Sequence, residues 1–153
     1  MDINKRSIGK EIGILSRAAH TFFQYQFKNL SIGHSQVMTL HFICKHNGLS
    51  QNKLVQHFGL DKSSVTSQLN ILEKNGYITR EIDKDDSRGR KIFITEKTNA
   101  NKDFLDTKFS SWSKILLKGF DEVEKEKLFN LLDNMIINAH KAINELKNNE
   151  ENK

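Results

Sequence analysis

Apolar residues near the start of the chain recur at steps of three and four: Ile8, Ile12, Leu15, Ala19, Phe22 and Leu30. Gln26 is the polar member of that series, and its neighbour Phe27 can supply the missing contact. The spacing predicts a long amphipathic helix over roughly residues 6–29. "SIGH" interrupts it, and "SQVMTLHFICKH" predicts a shorter helix with Val37, Leu40, Ile43 and Cys44 inward. "NGLS" reads as a turn, with Ser50 an N-cap for a third helix, "QNKLVQHF", which Gly59 ends. A fourth helix, "LDKSSVTSQLNILEKNG", is expected to open on Asp61, bury Val65, Leu69 and Leu72, and stop at Gly76. "YITREI" and "KIFIT" are the segments rich in β-branched and aromatic residues at strand length, and they predict a hairpin. Thr95 then caps a predicted long helix carrying Phe104, Leu105, Phe109, Trp112, Ile115 and Leu116. Asp121 and Glu124 form an Asp-x-x-Glu variant of the capping box for a last helix with Leu128, Leu132, Met135, Ala139, Ile143 and Leu146. The polar tail "KNNEENK" is expected to fray.

The third and fourth helices, joined by the tight turn "FGLD", have helix-turn-helix spacing. At about 100° per residue, Ser63, Ser67, Asn70 and Lys74 lie opposite the apolar stripe, with Ser64 and Thr66 on the flanks and Lys62 at the start. This surface is small, hydrogen-bonding and nearly free of acid. Short hydroxyl and amide side chains let a helix approach base edges and phosphates in a major groove. An ordinary surface helix carries Glu/Lys pairs instead, as "DEVEKEK" does, and the Ser/Thr run has poor helix propensity. A hairpin directly after such a helix is placed to act as a wing. Arg88 and Arg90 are expected to be displaced from the strands by Gly89, near the tip, where guanidinium groups can enter a narrow minor groove. Asp86 is expected to orient Arg88 across the turn, with Asp83 and Asp85 facing away.

The run "SVTSQLNILEKNGYITREIDKDDSRGRKIFIT" resembles the MarR family of winged-helix transcriptional regulators, and the likeness extends over nearly the whole chain. Arg80, Asp83, Asp86, Arg88 and Thr95 match the family pattern position by position. Members often carry Arg after the Thr of the recognition helix, where this chain has Ser67, which shifts expected phosphate affinity onto the wing. They commonly carry Gly three residues past the strand-terminal Thr, where Thr98 stands, a departure expected to affect only the start of the next helix. The resemblance implies a mainly α fold with a small β wing: a winged helix-turn-helix core flanked by long N- and C-terminal dimerisation helices. It also implies a homodimer binding double-stranded DNA. The expected division is a DNA-binding lobe at 33–96 and a helical dimerisation region at 1–32 and 97–153. The DNA-contacting set expected from it is Lys62, Ser63, Ser64, Thr66, Ser67, Asn70, Lys74, Arg80, Asp86, Arg88 and Arg90. Relatives that release DNA to a small aromatic or anionic effector do so through a crevice. Phe22, Phe23, His41, Phe42 and Trp112 are the candidates for lining one here, against the simpler reading that they are core.

Composition changes this picture little. The 153 residues suit a single domain, and the net charge of +5, with a pI near 9.3, favours a polyanionic partner. No run approaches the roughly 18–20 apolar residues of a membrane span, and the single cysteine, Cys44, points to a reducing compartment, hence a cytoplasmic protein. Lys45 and His46 could activate that thiol, but a buried inert cysteine is the better reading. His34 and His41 are placed to share a helix face, but the six histidines include no His-x-x-x-His pair. Neither a metal nor a cofactor is expected. Glycine-rich phosphate loops and nucleophile elbows are missing from the sequence, so an enzyme is not expected either. The expectation is a dimeric, sequence-specific DNA-binding regulator, a repressor more readily than an activator, reading a pseudo-palindrome and tuned by a ligand. The alternative is a winged-helix dimer that binds proteins and has little DNA affinity, which Ser67 and the acidic wing favour.

Overall fold

The computed structural model describes residues 6–83 and 89–151. Helix α1 (Ile8–Gln26) opens on Ser7, whose hydroxyl accepts the Lys10 N–H. Its apolar stripe divides along its length. Ala19, Phe22, Phe23 and Phe27 pack into the core, whereas Ile8, Ile12 and Leu15 are exposed. Helix α2 (His34–Lys45) buries Val37, Leu40, Ile43 and Cys44, as their spacing predicts. Strand β1 (Leu49–Ser50) follows the turn at Gly48, whose φ of 84° suits glycine. Helix α3 (Gln51–Phe58) starts at Ser50, although the Ser50 side chain makes no capping bond, and ends on left-handed Gly59.

Helix α4 (Lys62–Lys74) packs on α2 and α3 through Val65, Leu69 and Leu72, none of them more than 2% exposed. Each such aliphatic burial contributes about 1.5–3 kcal/mol. Strands β2 (Ile78–Ile82) and β3 (Arg90–Ile94) pair antiparallel, from Ile78 opposite Ile94 to Ile82 opposite Arg90. Ile78 and Ile92 close the core against α4, and β1 adds to the far side of β3. The sheet thus has three strands, in the order β1-β3-β2, where the sequence suggested two. Two residues are too few to display an alternation, and the pairing partner of β1 lies some forty positions away.

Three further expectations are corrected. The helix after Thr95 is two helices, α5 (Glu96–Ala100) and α6 (Lys102–Leu116), broken at Asn101, whose side chain donates to the Lys97 carbonyl at 2.8 Å. Thr98 does more than start that segment. It is fully buried, and its hydroxyl donates to the Tyr77 carbonyl, which also receives the Thr95 N–H at 3.1 Å. Finally, the last helix, α7 (Glu122–Glu151), continues through most of the tail expected to fray.

The chain divides into two compact units after Trp112, within α6. The second unit opens α7 with the expected capping box: Glu124 N–H donates to Asp121 Oδ1 at 2.8 Å and Asp121 N–H to Glu124 Oε2 at 3.0 Å. Along α7, Phe129, Leu131, Ile136, Ile137, Ile143 and Leu146 are exposed. Among the described residues, no helix is long and apolar enough to cross a membrane.

Candidate nucleic-acid interface

The outward face of α4 is organised from its first turn. Asp61 accepts the Ser64 N–H at 2.7 Å, and the hydroxyls of Ser63 and Ser64 also donate to its carboxylate. Those bonds, Ser63's first, hold the Asp61 carboxyl far below the usual carboxylate range. The helix N-terminus therefore carries the chain's own carboxylate on the amides that suit a phosphate. Thr66 is also engaged: its hydroxyl donates to the Lys62 carbonyl at 2.7 Å and accepts from Gln51 Nε2 at 2.7 Å. Deeper in, Thr39 donates to Gln68 Oε1, joining α2 to α4.

Lys62, Ser63, Thr66, Ser67 and Asn70 line one shallow, open depression on this face, with Lys74 exposed farther along the helix. Among the residues expected from the sequence, this group is brought together on one surface. Ser64 sits half-buried at its edge, occupied by the cap.

Arg80 does not join that outward set. Its side chain is only 18% exposed, and its guanidinium clasps α4: Nε donates to Glu73 Oε2 at 3.1 Å, and a terminal nitrogen donates to the same carboxylate and to Asn70 Oδ1, the latter at 2.8 Å. The Arg80 bond draws the Glu73 carboxyl below its ordinary pKa. Sequence reasoning missed Glu73 and Gln51 because both act through partners met only after folding. Arg90 is exposed, but it lies in β3 opposite Ile82 rather than being displaced from the strand by Gly89. Asp83 forms an ion pair with Lys91 at 2.9 Å. Asp85, Asp86 and Arg88 lie outside the described residues, and with them the expected bond between Asp86 and Arg88.

A helix pair whose second member is backed by a three-stranded antiparallel sheet is the winged helix-turn-helix arrangement. The MarR family profile matches residues 30–89, which span α2, α3, α4 and the hairpin. The chain is 28% identical over 123 residues to the HTH-type transcriptional regulator YybA of Bacillus subtilis (strain 168), covering 80% of this chain and 82% of that protein. Its fold matches a MarR family transcriptional regulator from Listeria monocytogenes, complexed with 26mer DNA, at a TM-score of 0.84 and 28% identity, over 90% of this chain and 91% of that one. The MarR protein of Peptoclostridium difficile matches at a TM-score of 0.84 and 26% identity, over 93% of each chain. In sequence and in fold the chain is similar to regulators of the MarR family.

The candidate crevice residues fall into two groups. Phe22 and Phe23 pack with Trp112 and, through Phe109, with His41. Phe42 belongs elsewhere, stacked between His46 and His57 at centroid distances of 4.3 and 3.9 Å. His41 also meets Asp106 at 3.0 Å, and Lys45 meets the other oxygen of that carboxylate at 2.7 Å. A cavity of about 340 Å³ opens instead at the end of α1, lined by Phe23, Gln24, Phe27, Lys28, Leu30, Ile32, Gly33, His34 and Val37. The His34 ring, two turns before His41 on α2, stacks on Phe23 and approaches His20. Burial first, and His20 second, lower its pKa. Cys44 is buried, and burial pushes its thiol up to about 11, which disfavours the thiolate despite Lys45 beside it. Among the described residues, no group of three or more His, Cys, Asp or Glu is placed to hold a metal.

Proposed function

We propose that this regulator is a homodimer that binds double-stranded DNA at a pseudo-palindromic operator and represses transcription there. The observation that carries the reading is the outward face of α4, where Lys62, Ser67, Asn70 and Lys74 present donors and cations and the exposed Asp61 carboxylate at its start is taken up by Ser63 and Ser64. Such a surface fits the floor of a major groove, with two copies about 10 bp apart or a multiple of that. The Listeria relative, complexed with 26mer DNA, supports DNA as the partner. The wing, carrying Arg88 and Arg90, follows into the neighbouring minor groove.

Residues 33–96 are the DNA-binding lobe in this reading, and 1–32 with 97–153 form the dimer. Its support is the apolar surface left open on each helix: Ile8, Ile12 and Leu15 on α1, and Ile136, Ile143 and Leu146 on α7. A second copy is the economical cover for long amphipathic helices at both ends of a chain. A small aromatic or anionic effector is proposed to tune affinity by favouring one spacing of the two lobes. Phe23 and Phe27, with Lys28 and His34 beside them in the α1 cavity, have the chemistry for it.

The test is a titration of the full-length protein on mixed genomic DNA across a salt series, beside Ser67→Glu in both subunits. Salt-sensitive binding is expected for the parent and its loss for the variant, with the dimer intact by sedimentation. Binding that ignores salt, or that survives Ser67→Glu, would overturn the proposal in favour of a protein-interaction module.

A further inference from the structure

Arg80 matches the family pattern in sequence, yet its charge is spent inside the chain on Glu73. What it leaves on the outside is the orientation of Asn70. The guanidinium donates to Asn70 Oδ1 at 2.8 Å, while the rest of Asn70 lines the open face of α4 with Lys62, Ser63, Thr66 and Ser67. A planar amide whose oxygen is held on one side has its NH2 turned to the other. Glu73 holds the guanidinium in turn, so the amide is braced by a charged pair rather than by a single bond.

We propose that Arg80 is a positioning residue for sequence recognition, fixing Asn70 so that α4 offers a donor and withholds an acceptor. The inference rests on the DNA-binding reading above and names a base class for it. A free Asn side chain reads adenine with both atoms, accepting from N6 and donating to N7. Arg80 holds the oxygen on its own side through one lone pair, so the NH2 is the group that Asn70 turns toward the groove. Its partner in the major groove is then a base edge bearing a carbonyl, either guanine O6 or thymine O4. Cytosine meets it with a donor, and adenine meets it with an unanswered N6 amino group.

The alternative role for Arg80, a phosphate contact, makes a different prediction, and one experiment separates the two. Duplexes with a randomised core are selected on the full-length protein and on the Arg80→Met and Asn70→Asp variants, and binding of the winners is measured against salt. The parent is expected to favour guanine or thymine at one position per half-site, on the order of tenfold over adenine or cytosine. Arg80→Met should admit adenine at that position while the log–log salt slope stays unchanged. Asn70→Asp, isosteric and without a donor, should move the preference to cytosine, whose amino group a carboxylate accepts. The inference is overturned if Arg80→Met keeps the parent's preference. It is equally overturned if that variant weakens all sequences alike with a slope shallower by about one unit per half-site, which marks a phosphate contact. Should Arg80→Met fail to fold, Asn70→Asp decides alone, and no shift toward cytosine overturns it. A parent that selects no sequence at all removes the DNA-binding reading itself, a result distinct from each of these.

Discussion

Replacing Thr98 tests whether the chain has built a joint where relatives commonly carry glycine. Thr98 is 0% exposed, and its hydroxyl donates to the Tyr77 carbonyl. Thr98→Val keeps the shape and removes the donor. The carbonyl is not orphaned, because the Thr95 N–H at 3.1 Å and the Thr95 hydroxyl at 3.2 Å still reach it. The cost should therefore be that of an ordinary hydrogen bond, about 1 kcal/mol. Thr98→Gly removes the same bond, empties the space of a buried methyl, worth about 0.8 kcal/mol, and loosens the backbone of α5 by up to about 1 kcal/mol. The sum is roughly 3 kcal/mol. At about 2–4 °C per kcal/mol, the midpoints should fall by roughly 3 °C for valine and 9 °C for glycine. Thermal unfolding read at one fixed protomer concentration checks this, since association would shift the midpoint by mass action. A glycine variant as stable as the parent would refute the reasoning, showing that Thr98 does no more than begin a helix.

Two further outcomes follow from buried groups. His34 and His41 are both held below the ordinary histidine value of 6.5, chiefly by burial, with Asp106 opposing the shift at His41 and His20 adding to it at His34. The unfolded chain therefore takes up more protons as pH falls through about 6.5, and stability should drop on that side. Urea midpoints should be lower at pH 5.5 than at pH 7.5, and a His34→Gln, His41→Gln double variant should flatten the difference; an unchanged profile would contradict the assignment. For Cys44, a thiol raised to about 11 should react with iodoacetamide far more slowly in the native protein at pH 8 than in denaturant. Equal rates would show that it is accessible and activated.

Much of α4 was legible because one periodicity governs it. Val65, Leu69 and Leu72 fall on a single face, Asp61 and Gly76 mark the ends, and the outward set follows by subtraction. The hairpin was legible from its two β-branched runs. What escaped was set by tertiary pairing. Strand β1 has two residues and owes its existence to β3. The Arg80 clasp depends on a turn at Gly76 that returns the strand alongside α4, and nothing in an Arg's neighbours tells whether it will meet a phosphate or a carboxylate. The break at Asn101 was hidden by an apolar pattern that continues past it in Phe104 and Leu105. The stripe of α1 gave the helix, but it could not say which half would be covered by the chain's own core.

The strand order bears on how the molecule behaves when crowded. With β3 in the middle, the sheet meets its surroundings only through the stub β1 and the outer margin of β2. The stub spans two residues, too few to template a ribbon, and β2 carries the exposed charge of Glu81 beside Arg80, whose own charge is turned onto Glu73. Charges and brevity at its margins keep such a sheet from zipping onto its neighbours. High protein concentrations should thus leave the sheet's margins unpaired with other copies.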